Sequence, residues 1–260
     1  AFYTLHELTR RFSMEDAMRA FINTFPKETL KQYKVWAKDT NYHVRRLVSE
    51  STRPLLPWSR RVSLTTSDTV PFLTTLHADK TRYVTRSVAN HLNDIAKKEP
   101  EVVIKLFREW KKLQKQNEAE LRWMATHALR TLIKAGNSDA LALLGYGTKP
   151  KVAVESFTVA DSSQKIQKNG VLSFSFTLRG KTDELLLIDY GINFLKSNGG
   201  TKTKVFKLKK VQIQKGECIQ VTKNHRFVAD ATTYKLYTGT HTLILQINGK
   251  KYDPCTFEII

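Results

Sequence analysis

The chain has 260 residues, enough for two ordinary domains, and its 41% hydrophobic, 26% charged composition is that of a globular protein and not of a collagen or a low-complexity linker. Its 43 basic against 24 acidic side chains leave a net charge of +19, which points to a polyanionic partner, although charge alone weighs a merely solubilising surface equally. No apolar run approaches the length of a membrane span, and two cysteines, Cys218 and Cys255, are too few for a disulfide scaffold or a zinc site.

Taken in order, the first residues show no basic start followed by an apolar stretch, so no secretory signal is read there, and the two thiols suit a reducing cytoplasm. From Leu8 to Leu144 the apolar residues recur at helical spacing and no glycine occurs before Gly136. Ser13 is expected to cap a helix. Pro26, Pro54, Pro57, Pro71 and Pro100 are expected to punctuate the helices, and Gly136 to end one. Asp39, Val44, Arg46 and Val48 are matched forty positions later by Asp79, Val84, Arg86 and Val88, and a weaker third copy places Met124 and Ala128 at the apolar positions. That period belongs to HEAT-like helical pairs stacked into a superhelix, whose inner face is a groove.

After Gly145-Tyr-Gly-Thr-Lys-Pro150 the period changes to two. Leu172, Phe174, Phe176 and Leu178 alternate with polar residues, and similar stretches recur near 152–159, 185–195, 204–213 and 241–248. An immunoglobulin-like antiparallel β-sandwich is predicted, giving a helical domain over 1–147 and a sandwich over 151–260. Both are basic, but residues 1–150 carry 13 of the 15 arginines. Arg grips phosphate with a planar fork, so the helical half is the expected binding surface.

In the repeats, Arg46, Glu50 and Arg53 share a helical phase, and the period aligns Glu50 with Asn90 and Arg130. Arg86, Asn90, Asn93, Asp94 and Lys97 form a wholly polar stripe. Carboxylates in a basic groove repel phosphate. Either they stabilise a developing cation, as in glycosidic cleavage, or they neutralise neighbouring arginines, and the residues leave both open. The histidines lie without partners at metal-ligand spacing and read as packing or surface groups, while Trp36 and Trp123 fall in apolar phase. Trp58 stands in a proline-punctuated connection beside Arg60 and Arg61, where an indole can stack on a nucleotide or anchor a helix pair.

The run from Asn41 to Trp58, Asn-Tyr-His-Val-Arg-Arg-Leu-Val-Ser-Glu-Ser-Thr-Arg-Pro-Leu-Leu-Pro-Trp, resembles the signature of the bacterial AlkC-type DNA glycosylases. Asp79 to Lys97 is similar to their next repeat, with further likeness at Glu7–Glu15 and His127–Lys134 and in the turns at Tyr237–His241 and Asn248-Gly249. The resemblance implies a HEAT-like enzyme that hydrolyses the N-glycosidic bond of cationic methylated bases, chiefly 3-methyladenine and 3-methylcytosine, in double-stranded DNA. It implies no base flipping, no cofactor, a monomer and a C-terminal immunoglobulin-like domain. It carries catalytic roles onto Glu50, Asp94 and Glu15, and a lesion-side contact onto Trp58. Arg53, Arg60, Arg61, Arg86 and Asn90 are the expected DNA contacts of the helices, and Lys235 that of the sandwich. Ser51 and Leu55 stand where the family usually has Gly and Arg, and relatives extend further at the N-terminus, so a shorter helical domain is expected. The opposing reading is a non-catalytic HEAT scaffold that binds duplex DNA or an acidic protein.

Overall fold

The computed structural model describes residues 1–160, 165–232 and 234–260. Among them ten helices precede nine strands, and the chain divides into two compact units, Ala1–Leu132 and Ile133–Ile260.

The first unit contains α1 (Phe2–Thr9), α2 (Glu15–Thr24), α3 (Pro26–Trp36), α4 (Tyr42–Ser51), α5 (Thr66–Leu76), α6 (Arg82–Ala96), α7 (Pro100–Leu113) and α8 (Glu118–Ala128). Asn41 and Asn117 cap α4 and α8 through their side chains, Thr65 and Asp68 form a reciprocal capping box on α5, and Pro26 and Pro100 open α3 and α7. The apolar stripes predicted by the repeat are buried: Val44, Leu47 and Val48 on α4, Val84, Val88, Leu92 and Ile95 on α6, Met124 and Ala128 on α8. α4, α6 and α8 pack side by side, as stacked repeats must if no single pair can cover its own apolar face.

Polar bonds stitch the same row. Arg45 pairs with Asp79, Arg82 with Glu120, His91 Nδ1 lies 3.0 Å from the Ser49 carbonyl, and the Asn93 amide donates to the Ala128 carbonyl at 2.7 Å.

Three local expectations differ from the structure. Ser13 does not cap α2, whose N-cap is Met14; its hydroxyl accepts instead from Arg46. Pro71 continues α5, since its φ is already helical and it forfeits only one backbone bond. Trp123 is half-buried, with the Arg82 guanidinium 3.9 Å from its ring centroid and His127 stacked beside it, whereas Trp36 and Trp110 are core.

In the second unit, the end of α9 (Arg130–Ala135) and α10 (Ser138–Leu143) precede β1 (Val152–Val159), β2 (Lys165–Ile166), β3 (Val171–Gly180), β4 (Glu184–Leu195), β5 (Thr201–Ile213), β6 (Cys218–Arg226), β7 (Gly239–Ile247), β8 (Lys250–Lys251) and β9 (Cys255–Ile259). The helix-to-strand change comes near residue 150, but the packing division comes earlier. Gly136 sits so close to Gly249 that a Cβ on either would clash with the other's backbone, and the Gln246 amide donates to the Lys134 carbonyl at 3.3 Å. A three-stranded sheet, β1-β3-β6, and a larger sheet, β2-β9-β7-β4-β5 with β8 on β7, supply the core. Leu172, Phe174, Phe176 and Leu178 of β3 share it with Ile188, Tyr190, Ile192 and Phe194 of β4, as period-two alternation requires. β6 and β9 escaped the sequence reading because β6 buries only Val221 and His225 and β9 is short. Both cysteines are free thiols, and among the described residues no helix is long and apolar enough to cross a membrane.

Candidate active site

Burial of the apolar faces of α4 and α6 fixes what their adjoining faces present. Glu50 stands in the last turn of α4, and Ser87 and Asp94, two turns apart on α6, face it. Arg53, just past the end of α4, joins them. Its Nη1 donates to Glu50 Oε1 at 2.7 Å, and its Nε and Nη2 both lie 2.9 Å from Asp94 Oδ2. Ser87 donates to Glu50 Oε2 at 2.7 Å, and Arg46 reaches the same oxygen at 3.5 Å. Arg46 also lies 3.5 Å from Glu15 Oε2, and Lys97 lies 3.3 Å from Asp94 Oδ1. Three carboxylates from three helices thus face Arg46, Arg53 and Lys97.

The electrostatics follow from these partners. Burial pushes the Glu50 carboxyl up, but Arg46, Arg53 and the Ser87 hydroxyl together outweigh it and hold the group below the usual glutamate range. Burial works against the Arg53 charge too, and Glu50 and Asp94 reverse that effect. Glu50 and Asp94 are 3% and 5% exposed, so the site presents its acids in a poorly solvated setting, where the partners of Glu50 favour its ionised form.

The expected contacts divide. Trp58 is 66% exposed, and Arg60, Arg61 and Arg86 are exposed as well. Arg53 is not: it is 9% exposed, with its guanidinium hydrogen-bonded to two carboxylates. Asn90 is half-buried, its carbonyl oxygen accepting from Arg130 at 3.3 Å and lying 2.8 Å from His127 Nε2. The stripe from Arg86 to Lys97 is therefore exposed at its ends and buried at Asn93 and Asp94. In the second unit, Lys235 is exposed beside a cleft of about 340 Å³ walled by Phe194, Lys202, Tyr234 and Tyr237.

Sequence reasoning missed Ser87 and Arg19. A serine gives no signal until its partner is known. Arg19 does give one, since it falls between Met18 and Ile22 on the buried side of α2, and it is 0% exposed. His91 is a packing histidine, as expected, and burial lowers it to about 3, so it stays neutral. A cleft of about 820 Å³ opens next to Asp94, with Pro54, Leu55, Arg61 and Leu64 on its walls. Among the described residues no group of three or more His, Cys, Asp or Glu is arranged to hold a metal ion.

Residues 153–260 match the family described as "Uncharacterised protein YhaZ, C-terminal Ig-like domain". The chain is 35% identical over 258 residues to the Bacillus subtilis (strain 168) protein YhaZ, covering 98% of this chain and 70% of the relative. The structure of Pseudomonas fluorescens alkylpurine DNA glycosylase AlkC, bound to DNA containing an abasic site analog, matches with a TM-score of 0.91 at 37% identity, over 98% of this chain and 71% of that one.

Proposed function

The chain belongs to the AlkC-type DNA glycosylase family, and from that membership we propose that it excises cationic methylated bases from duplex DNA by hydrolysing the N-glycosidic bond. The observation that carries this reading is the buried Glu50–Arg53–Asp94 bridge between successive repeats. A base methylated at a ring nitrogen is already cationic, so it departs neutral and needs no strong general acid. What must be stabilised is positive charge growing on the deoxyribose. Ionised carboxylates held rigidly in a low-dielectric site do that without reorganising. Glu50 and Asp94 take this role and orient the attacking water, and Glu15, held through Arg46, adds to the field.

Arg53 acts as the alignment group. It fixes the direction of both acids and helps hold the Glu50 carboxyl below its usual range while no substrate is bound, and in the transition state the aligned carboxylates face the cation that develops on the sugar. Exposed Trp58 contacts the lesion side, Arg60, Arg61 and Arg86 meet phosphates, and Lys235 reaches the duplex from the sandwich. The substrates are 3-methyladenine and 3-methylcytosine, read without base flipping, and the reaction uses water with no cofactor and no lysine nucleophile, so the strand stays intact. One observation favours a scaffold instead: each acid already has a basic partner. Release of free 3-methyladenine from methylated duplex under single-turnover conditions decides between them. Release that Glu50→Gln and Asp94→Asn abolish supports catalysis, and no release by the unmodified protein leaves the scaffold.

A further inference from the structure

One face of α2 grips the connection between α4 and α5, and neither the family resemblance nor the carboxylate chemistry requires it. Asp16, Arg19 and Asn23 recur at helical spacing on that face. Asp16 accepts a hydrogen bond from the Ser59 hydroxyl. Arg19 Nη1 donates to the carbonyls of Ser51 at 3.0 Å and Arg53 at 2.7 Å, and its Nε donates to the Arg60 carbonyl. The Asn23 amide donates to the Arg61 carbonyl at 2.9 Å, while its oxygen accepts from the Ser63 N–H at 3.0 Å. Six backbone or side-chain groups between residues 51 and 63 are thus satisfied from one helix. Trp58 lies in the middle of this stretch and is 66% exposed, so contacts of its own ring do not fix where it points.

An arginine fully out of water is costly, and burial is the largest influence on Arg19, lowering its affinity for the proton. Its Nη2 has no hydrogen-bond partner among the described residues. A methionine would fill that place at lower cost if packing were all that was needed. What methionine cannot do is close the connection by joining the carbonyls of Ser51 and Arg53, before the indole, to that of Arg60, after it.

We infer that Asp16, Arg19 and Asn23 of α2 form a clasp that positions the Trp58–Arg61 segment for its DNA contact, making them positioning residues for the activity. The inference rests on the proposed function for its DNA end, while the clasp itself is tested on the free protein. Asn23→Ala is the working variant because Asn23 lies at the surface and its loss spares the core. Two loop hydrogen bonds vanish, so trypsin cleavage after Arg60 and Arg61 should speed up about tenfold with the melting temperature nearly unchanged. Single-turnover excision should slow in Asn23→Ala and in Trp58→Ala, with the double variant slowed by less than the product of the two single effects. Asn23→Asp, which keeps the acceptor for Ser63 but loses the donor to Arg61, should fall between wild type and Asn23→Ala. Unchanged cleavage at Arg60 and Arg61 overturns the clasp whatever the protein does to DNA. Faster cleavage with normal excision, or additive losses in the double variant, overturns the positioning role. Failure of the unmodified protein to excise any base removes the proposed function and the positioning role, and the proteolysis result still decides the clasp.

Discussion

Glu50 in the helical unit and Asp189 in the sandwich are both buried carboxylates, 3% and 2% exposed, yet their proton affinities move in opposite directions. Burial opposes charge in both. At Glu50, Arg53 at 2.7 Å, Ser87 at 2.7 Å and Arg46 at 3.5 Å overcome it. At Asp189, on β4 between β5 and β7, Oδ1 has no hydrogen-bond partner among the described residues, and Lys207, Lys134 and Lys210 act only through space. Burial wins there, and the carboxyl rises to about 6. Location in a core does not keep an acid ionised; donors within bonding distance do. The helical unit is built to hold negative charge. The sandwich merely tolerates it.

The ionised state of the helical unit's Glu50 depends on Arg53 through both its charge and its hydrogen bond. Removing it leaves two buried carboxylates without their shared partner, so Arg53→Met should destabilise the helical unit by about 3–5 kcal/mol and lower its melting transition by several degrees or more. A loss below about 1 kcal/mol would mean that the acids are solvated and that the bridge does not organise them. Next in size is the chemistry. Glu50→Gln and Asp94→Asn should each slow single-turnover excision roughly 100- to 1000-fold, equivalent to about 3–4 kcal/mol of transition-state stabilisation, while duplex affinity holds or improves. Excision unmoved by both would take the reaction away from this pair.

How much of this was legible depended on whether a residue's role lies in its own segment. Val44, Val84 and Met124 announced the helical repeat because stacking needs apolar positions at a fixed period, and Phe174 and Phe176 announced the sandwich by alternation. Glu50 and Asp94 were visible as acids in a basic groove and Trp58 as an indole in a proline-punctuated connection, but the residues left their roles open and only the family resemblance supplied them. Arg53 was legible as an arginine of the repeat but not as a partner of Asp94, because sequence does not show that Asp94, 41 positions away, lies 2.9 Å from it. Ser87 and Asn23 were invisible for the same reason, since their meaning lies in a backbone or carboxylate brought in from another repeat. Asp189 was silent too: a strand-centre aspartate reads as surface until neighbouring strands are placed on both sides of it.

The same contrast predicts opposite pH dependences. Glu50 has a lowered folded-state pKa, so its contribution is complete above its unfolded value near 4.5 and is lost as pH falls through the folded one. Asp189 holds its proton up to about 6, against 3.8 when unfolded. Between those values the unfolded chain releases a proton that the folded chain retains, so stability falls as pH rises through the window and the loss is complete above about 6. Two pKa units correspond to about 2–3 kcal/mol. Asp189→Asn should therefore raise the melting temperature of the sandwich at pH 7.5 and change it little at pH 4. An equal shift at both pH values would show that the effect is packing and not ionisation.

The smallest expected effects lie where both units are basic but differ in kind. Arg60, Arg61 and Arg86 are exposed and uncommitted to carboxylates at bonding distance among the described residues, and Lys235 is their counterpart beside the sandwich cleft. Each true phosphate contact releases about one counterion, so replacing it by Ala should flatten the plot of log affinity against log salt by roughly 1. Lysine substitution separates the two kinds of cation. Arg60→Lys, Arg61→Lys and Arg86→Lys keep the charge and so keep the slope, but lose the two-point grip and weaken binding at every salt concentration. Lys235→Arg should cost nothing, because a point charge asks only for a cation. Fluorescence anisotropy with an undamaged duplex across a salt series measures slope and affinity together. An arginine whose Lys variant binds like wild type while its Ala variant flattens the slope touches phosphate as a point charge, and the distinction between an arginine-built and a lysine-built surface would then fail at that residue.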